Sequence, residues 1–391
     1  MNVIKRIFVD IIHERLKQNS PLLQILLGPR QVGKTTGMKQ LMSQWDGPSL
    51  YFTADLPHIL SRSWIQECWQ KARAAQNNES QILLILDEVQ RVPDWSIEVK
   101  ALFDDERARK NPIKIVLLGS ASWLLAQGLN ETLAGRFEYI RASHWSLAES
   151  IQCFDWNLDK FLKFGGYPAA SEFITDIDRW QDYIRDSIIE PMLSRDILPL
   201  KNIGKPALFR QTLALSMSYP AQELSLSKML GQLQEKGNTT TIKGYLELLE
   251  SGFVIKSLEK FSTRHFTKKS SIPKILPLCP ALIHAYTDPM RIESDKEWLG
   301  RVFEAAVGAM LHHAFPNLYY WREANAEVDF VAEYRDQIIA VEVKSGRKKS
   351  EKGLHSFKQQ FPKSKTIILD LDSGTQFLSS QSPKDFILHL I

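Results

Sequence analysis

A multidomain α/β protein is the fold class the sequence predicts, and three stretches carry that prediction. In ILLGPRQVGKTT, residues 25–36, an apolar strand turns through Gly28 and Gly33 into a helix that starts near Lys34. In ILLILDE, residues 82–88, five apolar residues end in two acids, as a buried strand with a polar carboxyl end does. Late in the chain, EVDFVAEY and QIIAVEVKSG flank a polar turn at Arg335-Asp336 and read as a strand pair.

Composition sets the outer bounds. At 391 residues the chain is too long for one ordinary core, so two or three domains are expected. Its 44% apolar and 24% charged residues are those of a globular protein, and no run approaches the roughly 18 apolar residues of a membrane span. The N-terminal stretch MNVIKRIFVDIIHERLKQ mixes both charge signs into its apolar pattern, unlike a signal peptide. Cys68, Cys153 and Cys279 are far apart and odd in number, which argues against a disulfide framework or a zinc site and suits a reducing cytoplasm. A net charge of +4 permits a nucleic-acid partner without requiring one.

From the N-terminus, Leu22, Leu23, Ile25, Leu26 and Leu27 form the first strand. The following Gly28, Pro29, Arg30, Gln31, Val32, Gly33, Lys34 and Thr35 match G-x-x-x-x-G-K-[ST], with Thr36 next in the helix. The two glycines let main-chain N–H groups turn inward toward phosphate oxygens, and the helix adds its positive end. Lys34 is expected on the β- and γ-phosphates of a nucleotide and Thr35 on Mg²⁺. Asp87, closing the second strand, is expected on the same Mg²⁺, and Glu88 is placed to polarise the attacking water. A third strand, IKIVLLG at 113–119, ends at Ser120, a candidate sensor of the γ-phosphate. Arg136, in LAGRFEYIRA, is a candidate for stabilising transition-state charge, in its own site or a neighbouring subunit's. Strands alternating with helices between 20 and 145 predict a parallel sheet with right-handed crossovers. In SRSWIQECWQKARAAQ, Trp64, Cys68 and Trp69 fall near one helix face and are expected in the core.

Beyond 146 the strand pattern gives way to helices, broken at Gly165-Gly166 and Pro168. ALFRQTLALSMS, SLSKMLGQLQE and TTIKGYLELLE read as three helices, followed by a turn at Gly252 and a strand, which is the order of a winged helix. Its third helix carries Glu247 and Glu250 beside a single Lys243, a poor surface for phosphates, so a structural or protein-contact role is expected for it. Arg264, His265, Lys268, Lys269 and Lys274 make a more basic patch that reads equally as a solvated loop. In the last third, Glu342 and Lys344 lie two apart and share a strand face, and Asp329 is on the neighbouring strand. Two adjacent carboxylates suit a hard divalent cation, a lysine beside them can stabilise a negative transition state, and Glu304 could add to the cluster from the preceding helix.

GPRQVGKTT, LLILDEVQRVPDW, LLGSAS and LAGRFEYI resemble the P-loop, Walker B, sensor and arginine segments of a group of prokaryotic AAA-type ATPases that carry a nuclease-like C-terminal domain. The resemblance implies an ATP-hydrolysing core over 1–145, a helical lid over 146–204, a winged-helix-like module over 205–262 and a restriction-endonuclease-like domain over 263–391. The E…D…E-x-K set of Glu304, Asp329, Glu342 and Lys344 is similar to the PD-(D/E)xK pattern, with Val328-Asp329 where the usual Pro-Asp would stand. It further implies ATP and Mg²⁺ as ligands and nucleic acid as the target. A nucleotide-dependent switch that docks a protein stays open beside it, as do DNA against RNA and the oligomeric state.

Overall fold

The computed structural model describes residues 4–18, 22–58, 60–76, 80–120, 132–198, 203–235, 237–262, 271–346 and 351–391. Val3–Ser143 forms one compact unit and His144–Ile391 another.

In the first unit the elements run α1 (Ile7–Lys17), β1 (Leu23–Leu27), α2 (Lys34–Gln44), β2 (Ser49–Thr53), α3 (Ser63–Ala75), β3 (Leu83–Asp87), α4 (Trp95–Arg107), β4 (Lys114–Gly119) and β5 (Phe137–Arg141). The five strands pair in parallel in the order β2-β3-β4-β1-β5. β1 and β3 are buried along their whole length, which is why both read as unbroken apolar runs. β4 lies between them, with Leu27 beside Gly119 and Asp87 beside Leu118, so the loops after three strands emerge along one edge of the sheet. On α3, Cys68 and Trp69 are buried with Ile65 and Ala72, while Trp64 is only partly covered, because the buried stripe runs through Ile65 instead.

In the second unit, α5 (Leu147–Phe154) opens on a capping box between Ser146 and Glu149, and α6 (Leu158–Phe164) ends at the expected Gly165-Gly166 break. α7 (Ile177–Asp182) continues into two wide i→i+5 stretches, Tyr183–Ile189 and Met192–Ile197, on either side of Pro191, which has no N–H to donate. Then follow α8 (Pro206–Ser218), β6 (Gln222–Glu223), α9 (Leu226–Gln232), α10 (Thr239–Ser251), β7 (Ile255–Leu258) and β8 (Lys274–Pro277). The three strands form an antiparallel sheet with β8 in the middle. Its central strand thus comes from beyond residue 262, inside the segment expected to belong to the last domain.

α11 (Pro280–His284), α12 (Pro289–Ser294) and the 19-residue α13 (Lys296–Ala314) lead into β9 (Leu318–Glu323), β10 (Ala326–Tyr334), β11 (Gln337–Val343), α14 (Lys352–Gln360), β12 (Lys365–Leu369), α15 (Leu371–Leu378) and α16 (Pro383–His389). The sheet order is β12-β11-β10-β9, antiparallel except for the β11–β12 pair, which α14 connects as a parallel crossover requires. The polar turn between β10 and β11 places Arg335 at φ 52°, the left-handed backbone that a two-residue hairpin needs. Phe261, Trp321, Val328, Val331, Ala340 and Phe357 pack as one apolar cluster on this sheet. Among the described residues no helix is long and apolar enough to cross a membrane.

Candidate functional site

The strand–loop–helix junction after β1 is built as a tight cradle. A Cβ on Gly28 would come within 2.4 Å of the Ala142 carbonyl, so only glycine lets β1 end this close to the chain leaving β5. Gln31 and Gly33 take positive φ of 58° and 91°, curling the loop so that α2 begins at Lys34. Gly28, Pro29 and Val32 are buried, Arg30 and Gly33 are partly covered, and Gln31, Thr35 and Thr36 are exposed. The Lys34 ammonium is buried and donates to the carbonyls of Gly28 (2.8 Å) and Pro29 (2.6 Å).

Across the edge, Asp87 closes β3 and accepts from Thr35 Oγ1 at 3.4 Å and from the Tyr51 hydroxyl of β2. Glu88 follows in the left-handed conformation at φ 53°, which turns its carboxylate toward the end of β4. Ser120 donates to Glu88 Oε2 at 2.9 Å, and Gln90 donates to the same oxygen at 2.5 Å. Burial pushes Glu88 above the ordinary carboxylate range against the pull of Lys34, and Asp87 adds to the rise. Lys34, Thr35, Asp87, Glu88 and Ser120 therefore meet at one edge. Arg136 stands apart from this group, with two guanidinium nitrogens on Asp104 of α4 at 2.7 and 2.9 Å.

Two partners of this edge were not singled out in the sequence. Arg6, before α1, donates to the Val32 carbonyl in the loop (2.6 Å) and to the Ser143 carbonyl (3.1 Å). Tyr51 sits on a strand whose residues are all only partly covered, so its sequence gave no period to mark which face it takes.

A second polar cluster lies in the other unit and joins Glu304 of α13, Asp329 of β10, and Glu342 and Lys344 at the end of β11. The pairing of β9 with β10 shifts between Val328 and Val331, and this irregularity falls on Asp329. Asp329 Oδ2 accepts the Val343 N–H at 2.8 Å, and Lys344 Nζ is 3.9 Å from Glu342 Oε1. Glu342 Oε2 has no hydrogen-bond partner among the described residues, and burial, then Asp329, push this carboxyl up to about 8.

Lys274 corrects the sequence reading. It was expected in an exposed basic patch, whereas β8 carries it into the interior at 6% exposure. Its ammonium donates to Glu304 Oε1 (2.8 Å) and to the Asp329 carbonyl (3.2 Å) and lies 3.7 Å from Asp329 Oδ1. Burial alone would push Lys274 down, but Glu304 and Asp329 reverse this and hold it above the usual lysine range. The remaining members of that patch, Arg264, His265, Lys268 and Lys269, lie outside the described residues.

Three segments of the chain match models of known families. Residues 20–151 match the model of the AAA domain. Residues 155–290 and 299–381 match two domains of unknown function, DUF8612 and DUF4143. The uncharacterized protein Rv2008c of Mycobacterium tuberculosis is 27% identical over 331 residues, covering 82% of this chain and 69% of the relative, and Mb2031c of Mycobacterium bovis matches to the same extent. Among solved structures, a variant of Thermotoga maritima RuvB is 14% identical at TM-score 0.34, covering 64% of this chain and 87% of that one. C. elegans PCH-2 is 17% identical at TM-score 0.28, covering 62% and 66%. Likeness that distant leaves the chemistry of residues 20–151 to be argued from those residues themselves.

Proposed function

We propose that the chain is a Mg²⁺-dependent ATPase in which the AAA domain binds and hydrolyses ATP to move the segments that follow it. The convergence of Lys34, Thr35, Asp87, Glu88 and Ser120 on one sheet edge carries this reading. The site fits the pair of ligands, since a glycine-rich loop offers main-chain donors to phosphate, while a carboxylate and a hydroxyl are the oxygen donors a hard cation takes. When bound, Mg²⁺ would neutralise charge on the phosphate oxygens, with Thr35 and Asp87 holding it. Lys34 exchanges two main-chain carbonyls for phosphate oxygens. Glu88, steadied by Ser120 and Gln90, orients and deprotonates the attacking water, and Ser120 couples that carboxylate to the nucleotide state. Arg136 serves a neighbouring copy in this scheme, after release from Asp104.

Glu88→Gln is expected to keep ATP binding and to lower turnover about 10²–10⁴-fold. Nucleotide titration beside a phosphate-release assay reads both, and undiminished hydrolysis would remove Glu88 from the role.

For the rest of the chain, we propose that the order α8-β6-α9-α10-β7-β8 is a winged helix. The helix, three antiparallel strands, helix and parallel strand from α13 to β12 form in this reading a restriction-endonuclease-like core. The first target is nucleic acid, tested by ATP hydrolysis with single-stranded DNA, duplex DNA and RNA while strand integrity is followed in the same tubes. Stimulation with cutting would make Glu304, Asp329, Glu342 and Lys344 a nuclease site, and Asp329→Ala and Lys344→Ala should then abolish cutting alone. A second reading, a nucleotide-dependent switch whose C-terminal domain docks a partner without cutting, is favoured by the ammonium of Lys274 lying between two of the carboxylates.

A further inference from the structure

Resting on the docking reading of the C-terminal domain, we propose that the Lys274 ammonium fills the cation position between Glu304 and Asp329, so that this cluster takes up no divalent metal. A nuclease of this strand order needs its acidic residues to share a metal. Among the described residues, no three His, Cys, Asp or Glu side chains converge so as to hold one. Oxygens of Glu304 and Asp329 that would do so are already engaged, which leaves Glu342 Oε2, without a hydrogen-bond partner among the described residues, too few companions to hold a metal. Glu304 Oε1 accepts from Lys274 at 2.8 Å, Asp329 Oδ1 faces the same ammonium at 3.7 Å, and Asp329 Oδ2 accepts the Val343 N–H at 2.8 Å.

Lys274 is also fixed where it stands. It pairs with Glu223 of β6 on one side and Leu258 of β7 on the other, so its main chain is the middle of a sheet. Its ammonium lies 4.8 Å from the centre of the Phe330 ring, an attractive cation–aromatic distance. The register shift in β10 turns the Asp329 carbonyl to the ammonium, which donates to it at 3.2 Å. Charge argues the same way. Glu304, Asp329 and Glu342 already face two ammonium groups, Lys274 and Lys344, and an entering divalent ion would meet both at short range.

The test uses the full chain without nucleotide and Mn²⁺ as the probe, with free Mn²⁺ read by its paramagnetic resonance. Wild type, Asp329→Asn, Lys274→Met and the double variant are compared, with labelled DNA and RNA strands present in parallel tubes. Wild type and Asp329→Asn should bind Mn²⁺ equally. Lys274→Met should gain a site at least about tenfold tighter than any wild-type binding, lost again in the double variant. Wild-type binding that Asp329→Asn removes would overturn the proposal, as would a folded Lys274→Met that gains no site. Should Lys274→Met not fold, the comparison of wild type with Asp329→Asn decides. Asp329-dependent binding without strand cleavage defeats this proposal alone, whereas cleavage lost in Asp329→Asn defeats the docking reading with it.

Discussion

Gly166 shows how one missing side chain can hold several elements together. Its φ is +119°, and a Cβ there would lie 2.0 Å from Cys279 Sγ. Its carbonyl accepts from Trp145 N–H at 3.1 Å, and the carbonyl of Gly165 accepts from Ala281 N–H at 3.1 Å and from Cys279 Sγ at 3.2 Å. The stretch around Gly165-Gly166, expected only as a helix break, is thus the joint between the chain before α5, the end of α6 and the start of α11. Gly166→Ala combines strained backbone with overpacking and should cost roughly 2–4 kcal/mol, read as a lower urea midpoint at an unchanged slope. The sequence marks the glycine pair as a break. It could not mark Cys279, more than a hundred residues away, as the atom that forbids a methyl group.

At the scale of elements, the glycine-rich loop after β1 depends on a residue outside its own motif. Arg6 ties the loop at Val32 to the chain after β5 at Ser143, so the cradle is braced from before α1. Each charge-assisted hydrogen bond of this kind contributes about 1.5–3 kcal/mol. Arg6→Ala should therefore weaken ATP binding about tenfold or more without touching the nucleotide, and Arg6→Lys, which keeps one bond, should fall between. Equal affinities across the three proteins in a fluorescent-nucleotide titration would show that the loop holds its own shape. The shape of the loop was legible because a tight strand-to-helix turn needs glycines at fixed local spacing. Arg6 was not, because an arginine that braces a loop follows no local spacing at all. Lys274 failed for the opposite reason: its neighbours in sequence are basic, but a strand of the three-stranded sheet carries it inward.

At the scale of the whole unit His144–Ile391, His284 joins three helices through its ring and carbonyl. Nδ1 lies 2.8 Å from the Lys163 carbonyl of α6 and Nε2 accepts from Trp298 Nε1 of α13 at 3.1 Å, which fixes the neutral ring with its proton on Nδ1. Gln181 of α7 donates to the His284 and Thr287 carbonyls at 2.7 and 2.6 Å. Burial pushes this histidine down to about 4. The unfolded chain then binds more protons than the folded one between about pH 6.5 and pH 4. The stability His284 contributes is whole above pH 6.5 and is lost as the pH falls through that window, on the order of 3 kcal/mol in all. Urea unfolding at pH 7 and pH 4.5 should show the loss, and a His284→Asn variant, though weaker at pH 7, should show less of it.

What the sequence by itself determined is whatever depends on neighbours along the chain: the buried parallel strands, the glycine-rich loop and its helix start, the acid pair at the end of β3, the hairpin at Arg335-Asp336. Period and local geometry set these, and a few residues suffice to encode them. Tertiary structure alone decided which side chains meet across elements. It set β4 between β1 and β3, so that Ser120 reaches Glu88; it bonded Arg136 to Asp104; and it seated Lys274 between Glu304 and Asp329. Such contacts join residues tens of positions apart, and only the packing of the sheets and helices fixes the distance between them.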